Sequence, residues 1–227
     1  GVGNSMGGVL LLGRQKPFGT ALAERLERVG IDTDSDDGIR ISCWDGGESP
    51  SSDLLIRPSS APEPLAEHSC TLVIHDLYLP SGVGDWGPTD IVDRLEWLDA
   101  GAEGEPPAGS PRHYVHIRDA VDAVAALLKA MPSGRLDMCG RRCWSHQATC
   151  EVLGMLWARF QAAVDHSFQI EHLEVSEPKT EPAERVERPD LAPLHSSLED
   201  AGTMGWHPLV PFRVGLMECI AEQIEGE

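Results

Sequence analysis

The segment Gly13-Arg14-Gln15-Lys16-Pro17-Phe18-Gly19 joins a short apolar run, Gly8–Gly13, to a helical pattern over Phe18–Val29 in which Leu22, Leu26 and Val29 share a face. A glycine at the end of a strand, a tight turn and a helix start set backbone N–H groups and the positive end of a helix against a diphosphate. Taken alone, two glycines in this arrangement serve equally well as plain turn chemistry. A second group, Cys139, Cys143, His146 and Cys150, offers soft ligands, yet its spacing matches no standard zinc knuckle. Free thiols in a reducing compartment are the simpler reading, and no metal is expected.

These groups sit in a chain of 227 residues, with 18 Lys and Arg against 37 Asp and Glu and a formal charge of −19. The acidic balance argues against nucleic-acid binding, which depends on Lys and Arg neutralising phosphates. The longest apolar runs, such as Val9–Leu12 and Leu72–Ile74, fall far short of the ~18 residues of a bilayer span. A cytoplasmic protein that avoids membranes and polyanions is the expectation. Gly1–Ser5 ahead of Met6 reads as a tag remnant, and residues 1–7 are left out of the fold.

Strands and helices alternate along the rest. Pro17 suits the first turn of a helix, where its missing N–H costs nothing, and Gly30 suits its end. Ile31–Asp34 reads as a short, acidic second strand, followed by strands at Ile39–Trp44, Leu54–Ile56 and Thr71–Leu77. A helix is expected over Thr89–Ala100, a strand at Tyr114–Ile117, and a helix over Ala120–Ala130 capped by Asp119 and Asp122. Beyond it lie a strand at Leu136–Cys139, a long helix from the Ser145 cap to about Ala163, a strand at Phe168–Val175 and a charged linker, Glu177–Pro189. Two last helices are expected at Leu198–Met204 and Phe212–Ile224. The pattern predicts an α/β fold, a Rossmann-like parallel sheet flanked by helices with a helix-rich C-terminal portion. Residues 8–130 would form the nucleotide-binding core and residues 131–227 the substrate-side portion.

The order of motifs resembles the extended short-chain dehydrogenase/reductase family, the NAD-dependent sugar-nucleotide epimerases and dehydratases. The family's GxxGxxG turn is matched at Gly13 and Gly19, with Lys16 at the middle glycine. DLLIRPSSAP (Asp53–Pro62) is similar to its fourth strand, and CTLVIHDLYLPSG (Cys70–Gly82) to its sixth strand and the turn after it. RHYVHIRDAVDAV (Arg112–Val124) resembles the segment RDxVHVxDxxxA, and Arg188–Leu216 resembles the C-terminal pattern of an Arg-Pro followed by a Leu-Gly-Trp-x-Pro turn. The resemblance implies NAD or NADP as cofactor. It places Gly13 and Gly19 at the pyrophosphate, Phe18 among the cofactor-binding residues, Asp34 at the adenosine ribose and Asp45 near the adenine; Lys16, at the middle glycine, either crowds the pyrophosphate or pairs with a phosphate as a cation at a helix start. It assigns Arg112 and Arg188 to the diphosphate of a nucleotide sugar, a role suited to planar multi-donor cations.

The family's proton transfer needs a tyrosine with a lysine four residues on and a nearby Ser or Thr. Tyr78 is followed at that distance by Gly82 and Tyr114 by Arg118, so no YxxxK occurs. Only nine residues separate Ala61 from Thr71, whereas one βαβ unit takes roughly 30. A strand and its two flanking helices are therefore expected to be missing, with the catalytic residues and the usual dimer interface. Loss of that layer would expose apolar sheet surface for a protein partner or a non-standard homodimer. The expected function is a catalytically impaired binding or scaffolding module, with a nucleotide-sugar sensor as a variant. The alternative is an active enzyme with a rebuilt site at His68, Ser69, His75 and Asp76.

Overall fold

A computed structural model describes residues 8–173 and 186–225. Five parallel strands, β1 (Val9–Leu12), β2 (Ile39–Cys43), β3 (Leu54–Pro58), β4 (Cys70–Ile74) and β7 (Gly134–Met138), form one sheet in the order β1-β2-β3-β4-β7. Two short parallel strands, β5 (Leu77–Tyr78) and β6 (Val115–His116), pair separately. The helices are α1 (Pro17–Arg28), α2 (Asp90–Asp99), α3 (Ile117–Leu127), α4 (His146–Val164), α5 (Ala192–Asp200) and α6 (Phe212–Glu225). The Rossmann-like α/β architecture is as the alternation of elements requires. The sheet takes its last strand from beyond residue 130, where the sequence places the edge of the core.

Local chemistry sets most boundaries. Pro17 opens α1, and Gly30 at φ +79° closes it, with Gly30 N–H on Glu27 O at 2.9 Å and Ile31 N–H on Leu26 O at 2.9 Å. That reciprocal pair is the Schellman end of a helix. Ser145 caps α4 through Ala148 N–H at 3.0 Å.

Alternate residues of the sheet, Val9, Leu11, Ile41, Leu54, Ile56, Leu72 and Leu136 among them, pack with α1, α3 and α5 into the main core. A second core joins Tyr78 and Tyr114 to α2, α4 and α6. Its rings interlock: Tyr114 stacks on Phe212 at 5.0 Å between centroids, and Tyr78 meets Phe212 edge-on at 5.7 Å. Gly215 leaves room for this, because a Cβ there would lie 2.1 Å from the Tyr78 hydroxyl.

Several expectations are corrected. Ile31–Asp34 is no strand; Asp34 makes an isolated antiparallel bridge to Leu10, and β2 pairs directly with β1. The run Thr71–Leu77 breaks at Asp76, whose φ of +50° turns the chain between β4 and β5. The α3 N-cap is His116, not Asp119; Asp119 instead accepts from Leu209 N–H at 2.8 Å, and Asp122 pairs with Arg25 of α1. The helix expected over Leu198–Met204 begins at Ala192 and ends at Asp200. Ile170–Leu173 forms a 3-10 turn where a strand was expected; residues 174 and 175 and most of the Glu177–Pro189 linker lie outside the described residues.

β3 and β4 are direct neighbours, Leu54 opposite Cys70, and residues 59–69 cross between them without a helix, as residues 44–53 cross between β2 and β3. Parallel neighbours usually need a longer crossover. On the sheet face away from the main core, Leu55 and Val73 are 0% and 1% exposed. Beside them runs a chain of charge from Arg57 to Glu63, to Arg135 at 3.2 Å, and on from Asp137 to His75 at 2.7 Å. Leu55 and Val73 therefore do not form the bare apolar surface that was expected.

Candidate functional site

The turn after β1 is built as tightly as a diphosphate-binding turn. A Cβ on Gly13 would lie 2.1 Å from the Cys43 carbonyl oxygen, and one on Gly19 would lie 2.1 Å from the Gly13 carbonyl oxygen. Both glycines are thus required for strand, turn and helix to approach.

The crevice beyond the turn is spanned by side chains of the protein itself. Lys16, at the N-cap position of α1, places Nζ 2.7 Å from Asp45 Oδ1. Trp86, on a 3-10 turn at Gly84–Trp86, donates its indole N–H to Asp45 Oδ2 at 3.0 Å. Its ring stacks on Phe18 with centroids 5.5 Å apart and planes 10° from parallel. Phe18 and Trp86 are both buried. Gly13, Lys16, Phe18, Gly19 and Asp45 are therefore brought together, with Lys16 facing a carboxylate and Phe18 a tryptophan. Asp34 stands apart at the sheet edge, exposed, with Arg14 donating to it at 3.3 Å.

At the helix start Lys16 thus faces the Asp45 carboxylate, and Pro17 removes one N–H from the helix end.

Next to Asp45 a cleft of about 540 Å³ opens, lined by Asp45, Ser60, Ala61, Asp85, Asp90 and Arg112 among others. Arg112 is held in a fork by Asp90, with Nε and Nη2 each 3.2 Å from a carboxylate oxygen, and Asp76 lies 3.5 Å from Nη1. Burial works most strongly against this charge, but the bond to Asp90 and the charges of Asp90 and Asp76 together outweigh it, so the guanidinium pKa is raised. Arg188 is exposed and donates to the Arg141 carbonyl at 3.0 Å. The two arginines expected to grip a diphosphate are thus engaged with other protein groups. The carboxylates of the cleft outnumber its one guanidinium, which disfavours an anionic ligand.

Neither tyrosine is placed for proton transfer. Tyr78 and Tyr114 are 3% and 8% exposed, and burial pushes both phenols up from their ordinary pKa. No lysine is paired with either; among the described residues the lysines are Lys16 on Asp45 and Lys129 beyond α3.

The remaining candidates are dispersed. His75 bonds Asp137, and Asp76 accepts from His113 N–H at 2.7 Å. Ser69 contributes its carbonyl to Gly134 N–H. His68 bridges Ser49 and Ser52. Cys139 is buried, and Cys150 Sγ lies 3.4 Å from His146 Nε2. Among the described residues no group of three or more His, Cys, Asp or Glu is placed to hold a metal. None of the described helices is long and apolar enough to cross a membrane. The sequence reading missed Trp86 and Asp90, for which a tryptophan in a Gly/Pro-rich turn and an aspartate at a helix start were the only signals.

The fold and the glycine turn define the class as Rossmann-like, and comparison with solved structures bears this out. RMD from Pseudomonas aeruginosa, solved with NADPH, superposes with a TM-score of 0.59 at 12% identity, covering 98% of this chain and 99% of that one. UDP-glucose 4-epimerase from Thermotoga maritima, solved with UDP-glucose, gives 0.56 at 11% identity, covering 96% of this chain and 99% of that one. The Bordetella bronchiseptica enzyme WbmG, solved with NAD and UDP, gives 0.59 at 10% identity, covering 96% and 95%. No family model and no curated protein matches the chain. At such identities the likeness is one of fold.

Proposed function

We propose that this chain is a shortened relative of the NAD-dependent sugar-nucleotide epimerases and dehydratases that has lost their hydride chemistry and serves in the cytoplasm as a binding or scaffolding module. The observation that carries this reading is Asp45, held from one side by Lys16 and from the other by Trp86 across the cofactor crevice. The buried phenols of Tyr78 and Tyr114 and the absence of YxxxK support it. The fold is kept, on this reading, because its glycine turn and aromatic cores still specify one structure, while the site has become internal packing.

A thermal-shift panel of NAD, NADP and UDP- and dTDP-sugars tests it. The expected result is an unchanged melting temperature with the nicotinamide cofactors and copurification with a protein partner or a second copy. A shift of several degrees with NAD or NADP would overturn the reading in favour of an enzyme. A shift with nucleotide sugars alone would make the module a sensor.

A further inference from the structure

The crossover loops between β2 and β3 and between β3 and β4 carry a constellation that the Rossmann site does not use. Ser49, on residues 44–53, lies with Oγ 2.9 Å from His68 Nε2, and Ser52 lies with Oγ 3.1 Å from His68 Nδ1. A neutral imidazole has one donor and one acceptor nitrogen. With the proton on Nδ1, His68 donates to Ser52 and accepts the Ser49 hydroxyl proton at Nε2. This is the polarity of a nucleophile, a base and an orienting group.

Ser49 also lines a groove of about 400 Å³ between the two loops, with Trp44, Gly47, Pro62, Leu65 and Ala66. Trp44 is 6% exposed, and its indole N–H has no partner among the described residues. A buried donor without a partner beside a half-buried hydroxyl is unusual in a folded protein and calls for an acceptor. Glu48 and Glu63 stand on the same groove and disfavour anions.

We propose that this groove is a second, hydrolytic site, with Ser49 as nucleophile, His68 as general base and Ser52 as a positioning residue, for uncharged esters with a short apolar acyl group. Ser49 Oγ bonds to the ester carbonyl carbon as its proton passes to His68 Nε2. The carbon–oxygen bond to the alcohol then breaks, and the alcohol leaves with the proton from His68. Water, deprotonated by His68, attacks the acyl-serine; the acid departs and Ser49 regains its proton. The site is independent of the cofactor crevice, so its test does not depend on the binding-module reading.

The full chain is treated with an alkyl fluorophosphonate and mapped by mass spectrometry, and assayed with p-nitrophenyl butyrate. The label is expected on Ser49, with turnover reduced at least about 100-fold in Ser49→Ala and His68→Gln and unchanged in Ser51→Ala. Ser52→Ala moves the acid limb of the pH–rate profile, and Ser52→Thr restores it. Labelling at another residue, no labelling of the folded wild-type chain, or turnover that survives Ser49→Ala would each overturn the proposal. The label map is read on the unaltered chain, so a variant that fails to fold does not remove the test.

Discussion

Lys16 and Asp45 meet at 2.7 Å across the mouth of the crevice between the first two strands, the lysine from the start of α1 and the aspartate from just beyond β2. The pair lies where the Rossmann fold ordinarily receives a diphosphate. Because Trp86 donates to the other oxygen of Asp45, this one carboxylate fastens a helix start, a strand end and a covering turn.

Replacing Asp45 with Ala leaves the indole N–H of Trp86, a 1% exposed residue, without its acceptor. An unsatisfied buried donor costs about 1–3 kcal/mol, whereas the partly exposed Lys16 pair adds little. Urea unfolding is expected to show a loss of about 1–3 kcal/mol for Asp45→Ala and a smaller one for Asp45→Asn, which keeps an acceptor. Equal stability of Asp45→Ala and wild type would show that the Trp86 bond carries no weight.

Asp119 is 7% exposed and accepts from Leu209 N–H at 2.8 Å and Val210 N–H at 3.1 Å, fixing the segment before α6 onto α3. Asp119→Ala unpairs both donors and is expected to cost about 2–4 kcal/mol in denaturant unfolding. Hydrogen exchange in α6 should accelerate in the variant; unchanged protection there would separate α6 from this anchor.

The pH response follows from two buried histidines. Burial lowers the pKa of both His113 and His116 from the ordinary 6.5. For His116 the nearby Glu218 only partly offsets this. The unfolded chain therefore takes up protons first as pH falls below 6.5. Stability is full above that value and declines as pH drops towards the folded-state pKa values. His116→Asn, which keeps a cap acceptor for Arg118 N–H, should flatten part of this slope in unfolding experiments between about pH 5 and 7. A slope identical to wild type would remove His116 from the account.

Thiol reactivity should sort five of the six cysteines. Burial pushes Cys70 up to about 11 and Cys139 and Cys219 to about 12, and raises Cys43 further. Cys143 is only half-buried. A disulfide reagent at mildly alkaline pH is expected to modify Cys143 in the native protein and those four only after unfolding, since the thiolate is the nucleophile. Rapid native labelling of Cys70 or Cys139 would contradict the packing of the sheet.

What the sequence determined by itself was local. Pro17 and Gly30 bound α1, Ser145 opens α4, and the apolar runs mark β3 and β4, because caps, fixed dihedrals and side-chain periodicity act within a few residues. The turn Gly13–Gly19 was legible for the same reason, and so was the absence of a Tyr and Lys four residues apart. Only the tertiary structure decided what those residues face. Ile39–Cys43 lies beside β1, Lys16 finds Asp45, Phe18 finds Trp86, Arg112 is taken by Asp90, and Ser49 meets His68 across two crossover loops. These partners are far apart along the chain. Their pairing is fixed by which strand packs next to which and by burial, quantities that no local window of the sequence contains.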